Sequence, residues 1–443
     1  MTNELDRTHD AAARCWVTAA NAQTTPFPIQ NLPFGRIEHP RLGRGARVVV
    51  AIGDRALDVA AAAQACGFTG LAGEAAAACS DGDLNALIAL SPAHATVLRH
   101  ALFDSLHEST PADDRAPESA LVPISEAQLL LPMAIGDYTD FFCSMHHAMN
   151  ASRIFKGPET LRPNFHYLPI GYHGRASSVV VSGTDIRRPM GELPPLGDAP
   201  PPYAPCAMLD YEVELGIVVR GGNTLGETIP IDRAEDAIFG ACLQNDWSAR
   251  DIQRWESMPL GPFLSKSFAT SISPWIVTVD ALRPFRVRQK PRGEDIPQPP
   301  LHLRLEDDTT WSIDIDCAIE TATMRAAGSI PQRISTSRLV DMHWSPKQMV
   351  THHASNGCNL RPGDLMGSGT ISGIEKDSWG CLLERTHDGH EPIAVGSEQR
   401  GYLADGDRVV MSGRCNVPGA RAIGFGSCEG TILPATGQAP RLQ

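Results

Sequence analysis

Beyond residue 120, glycine and proline cut the chain into short apolar runs, and this segmentation restricts the fold more than any other feature of the sequence. SSVVVSG at 177–183, YEVELGIVV at 211–219, SPWIVTVDA at 273–281 and RVVMSG at 408–413 have the length and β-branched content of strands. Gly-Pro turns and a proline-rich loop, ELPPLGDAPPPYAP at 192–205, separate them. The pattern predicts a mainly antiparallel or mixed β domain. A few helices are expected to interrupt it: one around 140–153, one beginning near Asp246, and one in SPKQMVTHHASNG at 345–357. In the last, Ser345 and Pro346 fit an N-cap followed by the first helical position, and Gly357 fits a C-terminal stop.

The earlier part of the chain reads differently. RVVVAIG at 47–53 and ALDVA at 56–60 predict strands, while LNALIALSPAHATVLRHALFDSLH at 84–107 predicts helix broken in two by Pro92. STPADDRAPESA at 109–120 is dense in turn formers and marks the domain boundary. Two domains, 1–118 and 119–443, are therefore expected, a division that 443 residues with 42% hydrophobic content can support.

Composition narrows the functional classes. Lys plus Arg number 38 against 51 Asp plus Glu, and the formal net charge of -13 argues against nucleic acid as the main partner. A few local cations could still hold an anionic metabolite. The chain has no run of 18 apolar residues to span a membrane, and its start, MTNELDRTHD, leads into no secretory signal. Its 11 cysteines lack a CxxC pair and suit a reducing cytoplasm. Dinucleotide and phosphate-loop fingerprints, an HExxH zinc motif and a GxSxG elbow are all missing.

Against this background three stretches stand out. In LDYEVELGIVV, a strand would place Glu212 and Glu214 on one face, where two carboxylates repel each other unless they share a cation or meet open water. An all-oxygen site favours Ca²⁺ or Mg²⁺ over zinc, whereas a half-exposed strand would show the same pattern with no ligand at all. In NDWSARDIQRWE, a helix would align Asp246, Arg250 and Gln253 at i, i+4 and i+7, either as part of a site or as a solvated face. Lys266 follows as a lone cation in GPFLSKSFAT, able to serve a site or to snorkel to water. In GDYTDFFCSMHHAMN, Asp137 and Asp140 precede His146 and His147, and one imidazole there could act as a general base. Glu384 in WGCLLERT could orient such a base, but nothing local selects it from the 51 acidic residues.

The segments GDYTDF with the HA that follows, GYHGRASSVVVSGT, LDYEVELG, NDWSARDIQ, GPFLSKSF and GCNLRPGDLMGSGTISG closely resemble the fumarylacetoacetate hydrolase family, and they occur in the family's order from Gly136 to Gly373. The resemblance implies a small SH3-like β-barrel N-terminal domain with flanking helices and a larger catalytic domain of mixed β-sandwich or roll type. It implies a divalent cation, Ca²⁺ or Mg²⁺, on Asp140, Glu212, Glu214 and Asp246, with no organic cofactor. It places the general base at His147 rather than His146, with Glu384 orienting it, and makes Asp137 structural. Arg250, Gln253 and Lys266 fall on residues that surround the substrate and stabilise negative charge, and Tyr172 and Thr370 on substrate contacts. Three substrate-binding positions depart from the mammalian pattern: Phe142 and Ser257 each replace a tyrosine, and Lys156 replaces an arginine, which weakens recognition of the substrate's distal part.

The implied reaction is hydrolysis of the carbon–carbon bond of fumarylacetoacetate to fumarate and acetoacetate, the last step of tyrosine catabolism, by a cytoplasmic homodimer. Related acylpyruvates or other 1,3-diketo acids are the alternative substrates. A binding or scaffolding protein would not require His147, Glu384, Lys266 and the four carboxylates together.

Overall fold

The computed structural model describes residues 5–155, 161–293, 296–305 and 309–436. The first sheet has five antiparallel strands in the spatial order Leu121–Pro123, Arg55–Asp58, Arg47–Ile52, Phe34–Glu38, Gln128–Leu129. Along the central strand the side-chain period of two divides two apolar clusters. Val48, Val50 and Ile52 pack with the helices Val59–Cys66, Gly70–Ala78, Leu84–Ile88 and Pro92–Leu106, while Val49 and Ala51 pack with Phe27, Ile37 and Trp275 on the other face.

Two expectations need correction here. ALDVA does not continue as a strand: Asp58 ends it, and its carboxylate caps the helix Val59–Cys66 by accepting from the Ala61 N–H. The boundary at 118/119 falls too early, because Leu121–Pro123 and Gln128–Leu129 form the two edges of this sheet. With three and two residues, these strands carry almost no periodic signal of their own.

The larger domain is built on two packed sheets, one mixed and one mainly antiparallel. The mixed sheet runs Ile170–His173, Tyr138–Phe142, Leu365–Gly367, Val213–Val219, Ile238–Asp246, Thr270–Ile272, Val179–Val181, with Val277–Thr278 also pairing to Ile238–Asp246. The second runs Gln332–Arg338, Asp314–Glu320, Arg408–Cys415, Ile423–Leu433, Ile186–Arg187. Val213, Leu215 and Ile217 face the core shared with Ile315, Met411 and Phe425 of the second sheet. Val218 instead joins the cluster of the N-terminal domain with Phe239, Ile276 and Leu365. The mixed sheet is thus covered on both faces, and Val213–Val219 and Ile238–Asp246 are buried along their whole length.

The helix Pro346–Ala354 matches its expectation, with a reciprocal capping box between Ser345 and Gln348 and with Gly357 in a left-handed conformation at φ 87° beyond its end. The other two helices start later than expected. Asp140 lies in the strand Tyr138–Phe142, and the helix Met145–Ile154 begins after it. Asp246 ends a strand, and only Arg250–Glu256 is helical. All 11 cysteines are free, and among the described residues no helix is long and apolar enough to cross a membrane.

Candidate active site

The mixed sheet brings four carboxylates to one point. Asp140 comes from Tyr138–Phe142, Glu214 from Val213–Val219 with Glu212 immediately before it, and Asp246 from the end of Ile238–Asp246. Their exposures are only 2%, 0%, 4% and 0%, respectively, which removes the half-exposed reading of Glu212 and Glu214. One oxygen of each lies within 4.8 Å of the others. The strand Leu365–Gly367 runs between the strands of Asp140 and Glu214, and its last residue leaves the space they converge on. A Cβ on Gly367 would stand 2.6 Å from Asp140 Oδ1, 2.8 Å from Glu214 Oε2 and 2.3 Å from Gln244 Nε2.

Four buried carboxylates cannot all ionise without compensating positive charge. The chain supplies part of it. Lys266 Nζ donates to Glu212 Oε2 at 2.5 Å and to Asp246 Oδ2 at 2.8 Å, and Arg250 Nη1 lies 2.8 Å from Glu212 Oε1. Burial alone would raise the Glu212 pKa, but Lys266 and Arg250 hold it below the ordinary carboxylate range. Asp140 and Glu214 form no direct ion pair with either cation, and the field of Lys266 offsets only part of what burial and the other carboxylates do to them. Burial, and then neighbouring carboxylates, push both of their pKa values well above the usual range. Among the described residues, Asp140 Oδ1 and Glu214 Oε1 are buried with no hydrogen-bond partner. Two bare oxygens in an all-oxygen donor set fit a hard divalent cation. Removing that cation with a chelator is expected to lower the melting temperature by several degrees, with recovery on adding it back. Calorimetry that found identical transitions with and without chelator would count against the cage.

Across the cavity stands the histidine. The helix Met145–Ile154 starts at Ser144, whose hydroxyl accepts from the His147 N–H, and it turns His147, Ala148 and Ala151 toward the cavity. His147 Nδ1 lies 2.7 Å from Glu384 Oε2. Glu384 also accepts from Asn150 Nδ2 at 2.8 Å, from Ser372 Oγ at 2.7 Å and from Cys381 Sγ at 3.2 Å. Burial raises the Glu384 pKa, yet the His147 ring and the Asn150 and Ser372 hydrogen bonds bring it below its ordinary value. An ionised Glu384 fixes the proton on Nδ1 and leaves Nε2 as the basic nitrogen. His146 lies outside the cavity wall, its pKa lowered chiefly by burial, in the field of Asp341 and Lys290. Asp137 is at the surface, paired with Arg361.

The cavity itself measures about 490 Å³, a size suited to a small metabolite. Phe142, Tyr172, Arg250, Gln253, Lys266 and Thr370 line it together with Asp140, Glu212 and His147. Tyr172 donates its hydroxyl to Asp246 Oδ2 at 3.0 Å, while Thr370 Oγ1 is buried with no partner among the described residues. Phe142 meets the His147 ring edge-on at 5.2 Å between centroids. Ser257 lies apart: its hydroxyl donates to the Gln253 carbonyl at 2.5 Å, and it borders an outer cavity. Lys156 lies outside the described residues.

Asp246, Arg250 and Gln253 do gather at one place, but by a route other than the expected single helix face. The strand delivers Asp246, the helix delivers Arg250 and Gln253, and Arg250 pairs with Asp210 and Glu212. Asp210 is the residue that sequence reasoning passed over. It is fully buried, accepts from Arg250 Nε at 2.9 Å, and accepts the Leu382 and Leu383 N–H groups at 2.7 and 3.0 Å. One carboxylate thus ties the arginine to the helix Leu382–Arg385 that carries Glu384. The signal was present as the third acidic residue at a spacing of two, Asp210, Glu212, Glu214.

Comparison with known proteins gives this constellation a family. Residues 30–132 match the family model for the fumarylacetoacetase N-terminal domain, and residues 138–433 match that for the fumarylacetoacetate (FAA) hydrolase C-terminal domain. The fumarylacetoacetase of Oryza sativa subsp. japonica is 45% identical over 419 residues, covering 92% of this chain and 95% of its own length. That of Homo sapiens is 44% identical over 420 residues, covering 94% and 98%. Among solved structures, a fumarylacetoacetate hydrolase from psychrophilic Exiguobacterium antarcticum shares the fold at a TM-score of 0.50 with 17% identity, covering 91% of this chain and 99% of its own. Since both domains match in order and the similarity runs through nearly the full length of the curated relatives, the chain belongs to the fumarylacetoacetate hydrolase family.

Proposed function

We propose that the chain hydrolyses the carbon–carbon bond of fumarylacetoacetate, giving fumarate and acetoacetate in the last step of tyrosine catabolism. The observation that carries this reading is the placement of the His147–Glu384 pair and the carboxylate cage on one cavity. The near full-length similarity to fumarylacetoacetases supports the choice of substrate.

In this reading Asp140, Glu212, Glu214 and Asp246 hold Ca²⁺ or Mg²⁺, which supplies Lewis-acid polarisation of a carbonyl when bound. His147 Nε2 takes a proton from water, and Glu384 stabilises the imidazolium through Nδ1. The hydroxide formed adds to the carbonyl carbon on the fumaryl side. Lys266 and Gln253 face the negative charge that develops on its oxygen, and Arg250 keeps Glu212 and Gln253 in place. Re-formation of the carbonyl breaks the adjacent carbon–carbon bond and sends the electron pair to the acetoacetate carbon. His147 Nε2 then returns its proton to that carbon. Tyr172 and Thr370 contact the bound substrate from the cavity wall.

Phe142 and Ser257 favour a second reading, in which the preferred substrate is a related acylpyruvate or another 1,3-diketo acid. A phenylalanine offers no hydrogen bond, and the serine is occupied by the helix backbone. The scattered free cysteines accord with a cytoplasmic protein, and family membership supports a homodimer.

The deciding measurement is kcat/KM for fumarylacetoacetate with Mg²⁺ or Ca²⁺, following loss of the diketone absorbance and identifying both products. Efficient release of fumarate and acetoacetate supports the named reaction. Negligible turnover by folded, cation-loaded protein would reject it and shift attention to other diketo acids.

A further inference from the structure

We propose that Arg162 recognises the carboxylate at the far end of the substrate and so selects diketo acids that are charged at both ends. This rests on the diketo-acid reading above.

At the cage end of the cavity each cation is paired with carboxylates, although Arg250 Nη2 has no hydrogen-bond partner among the described residues. Arg250 is engaged by Asp210 and Glu212, and Lys266 by Glu212 and Asp246. Away from the cage the wall turns apolar, with Phe142, Ala151, Phe155, Phe165 and Ile170. A substrate whose diketone sits at the cage must carry its second carboxylate along this wall toward the mouth. A carboxylate left there without a partner would lose hydration for nothing in return. Neither described position that the family resemblance assigns to the distal part supplies a charge. Phe142 has no donor and is wedged between the rings of His147 and Phe165, and Ser257 is spent on the Gln253 carbonyl.

Arg162 stands where the charge is needed. It lines both the inner cavity and the open outer cavity that continues from it, and among the described residues its guanidinium has no carboxylate partner. Arg254, which borders the same outer cavity, is engaged by Asp388. The Arg162 backbone is also anchored: its carbonyl accepts from the Phe165 N–H at 3.0 Å, and Phe165 is buried against Phe142. The side chain therefore reaches the mouth from a fixed base and can offer a carboxylate its two-pronged donor face, which lysine cannot reproduce.

The test uses the full-length, cation-loaded protein and its Arg162→Gln and Arg162→Lys variants. Two substrates are compared: fumarylacetoacetate, and a 3,5-diketo acid that ends in a methyl group instead of the fumaryl arm. The expected result is a KM for fumarylacetoacetate raised about tenfold in Arg162→Gln, carried by KM rather than kcat, with Arg162→Lys in between. The kcat/KM ratio of the two substrates should fall by the same factor. Calorimetric binding of fumarate should weaken about tenfold in Arg162→Gln, a readout that needs no turnover. Unchanged fumarate affinity, or equal losses on both substrates, would overturn the assignment. Failure of the wild-type protein to cleave fumarylacetoacetate would instead strike the proposed function, while the fumarate arm would still judge Arg162.

Discussion

His147→Ala lowers kcat by about three orders of magnitude while the protein continues to load its divalent cation. The expected size follows from what one positioned general base contributes, roughly 10² to 10⁴ in rate. Separation from metal binding follows from geometry, since His147 is not among the four carboxylates whose oxygens converge. The substitution has a second consequence. Glu384 is fully buried and owes part of its lowered pKa to the His147 ring, so removing the ring leaves a carboxylate that retains the Asn150 and Ser372 hydrogen bonds but has lost the Nδ1–H donor. Stability should therefore fall as well, which makes Glu384→Gln the informative companion. It keeps the shape, removes the charge that steadies the imidazolium formed during turnover, and should lower kcat. Single-turnover kinetics with the metal content measured on the same sample would decide the matter. A His147→Ala protein that is fully metal-loaded and turns over at the wild-type rate would remove the histidine from the mechanism.

How far the sequence discloses such a site depends on how local each part is. Glu212 and Glu214 were legible because a strand's period of two is written in consecutive residues, and the helix Pro346–Ala354 was legible because its cap is a local signature. The structure of NDWSARDIQ was not, because its acidic and amide residues suit the surface of a helix equally well. What makes Asp246 the end of a strand is the pairing of Ile238–Asp246 with Val213–Val219 and of Asp246 itself with Thr270, contacts that no local pattern specifies. The approach of His147 and Glu384 spans 237 positions. Nothing in either segment announces the other, and only family resemblance supplied the pairing. Asp210 hid for a related reason: its worth lies in accepting two backbone N–H groups from a helix some 170 residues away, a role with no compositional trace. The N-terminal sheet shows the same limit in its fold, since its edge strands are too short to be read without their neighbours.

Gly367→Ala is the substitution that isolates the cage from all charge chemistry, because it deletes no ligand and alters no ionisable group. The added methyl would fall 2.3 Å from Gln244 Nε2, 2.6 Å from Asp140 Oδ1 and 2.8 Å from Glu214 Oε2, so at least two of these side chains must move. Gln244 has little room to yield. Its amide donates to Glu214 Oε2 at 2.7 Å and to the Tyr138 hydroxyl at 2.9 Å inside a fully buried strand. The backbone has little room either, because Gly367 is held between the strands of Asp140 and Glu214. Displacement therefore falls on the carboxylates, and a hard cation that needs several oxygens at about 2.0 to 2.6 Å loses two of them at once. The expected result is loss of most bound metal and a fall in kcat/KM of about 10³ or more, whereas an alanine at an ordinary strand glycine would be mild. Raising the cation concentration should restore part of the activity, because the ligands remain present and only their arrangement is strained. Metal titration by calorimetry checks this directly. Wild-type affinity in Gly367→Ala would mean that the four carboxylates do not meet around an ion at this point in the sheet, and the cage would have to be abandoned even if activity were also low.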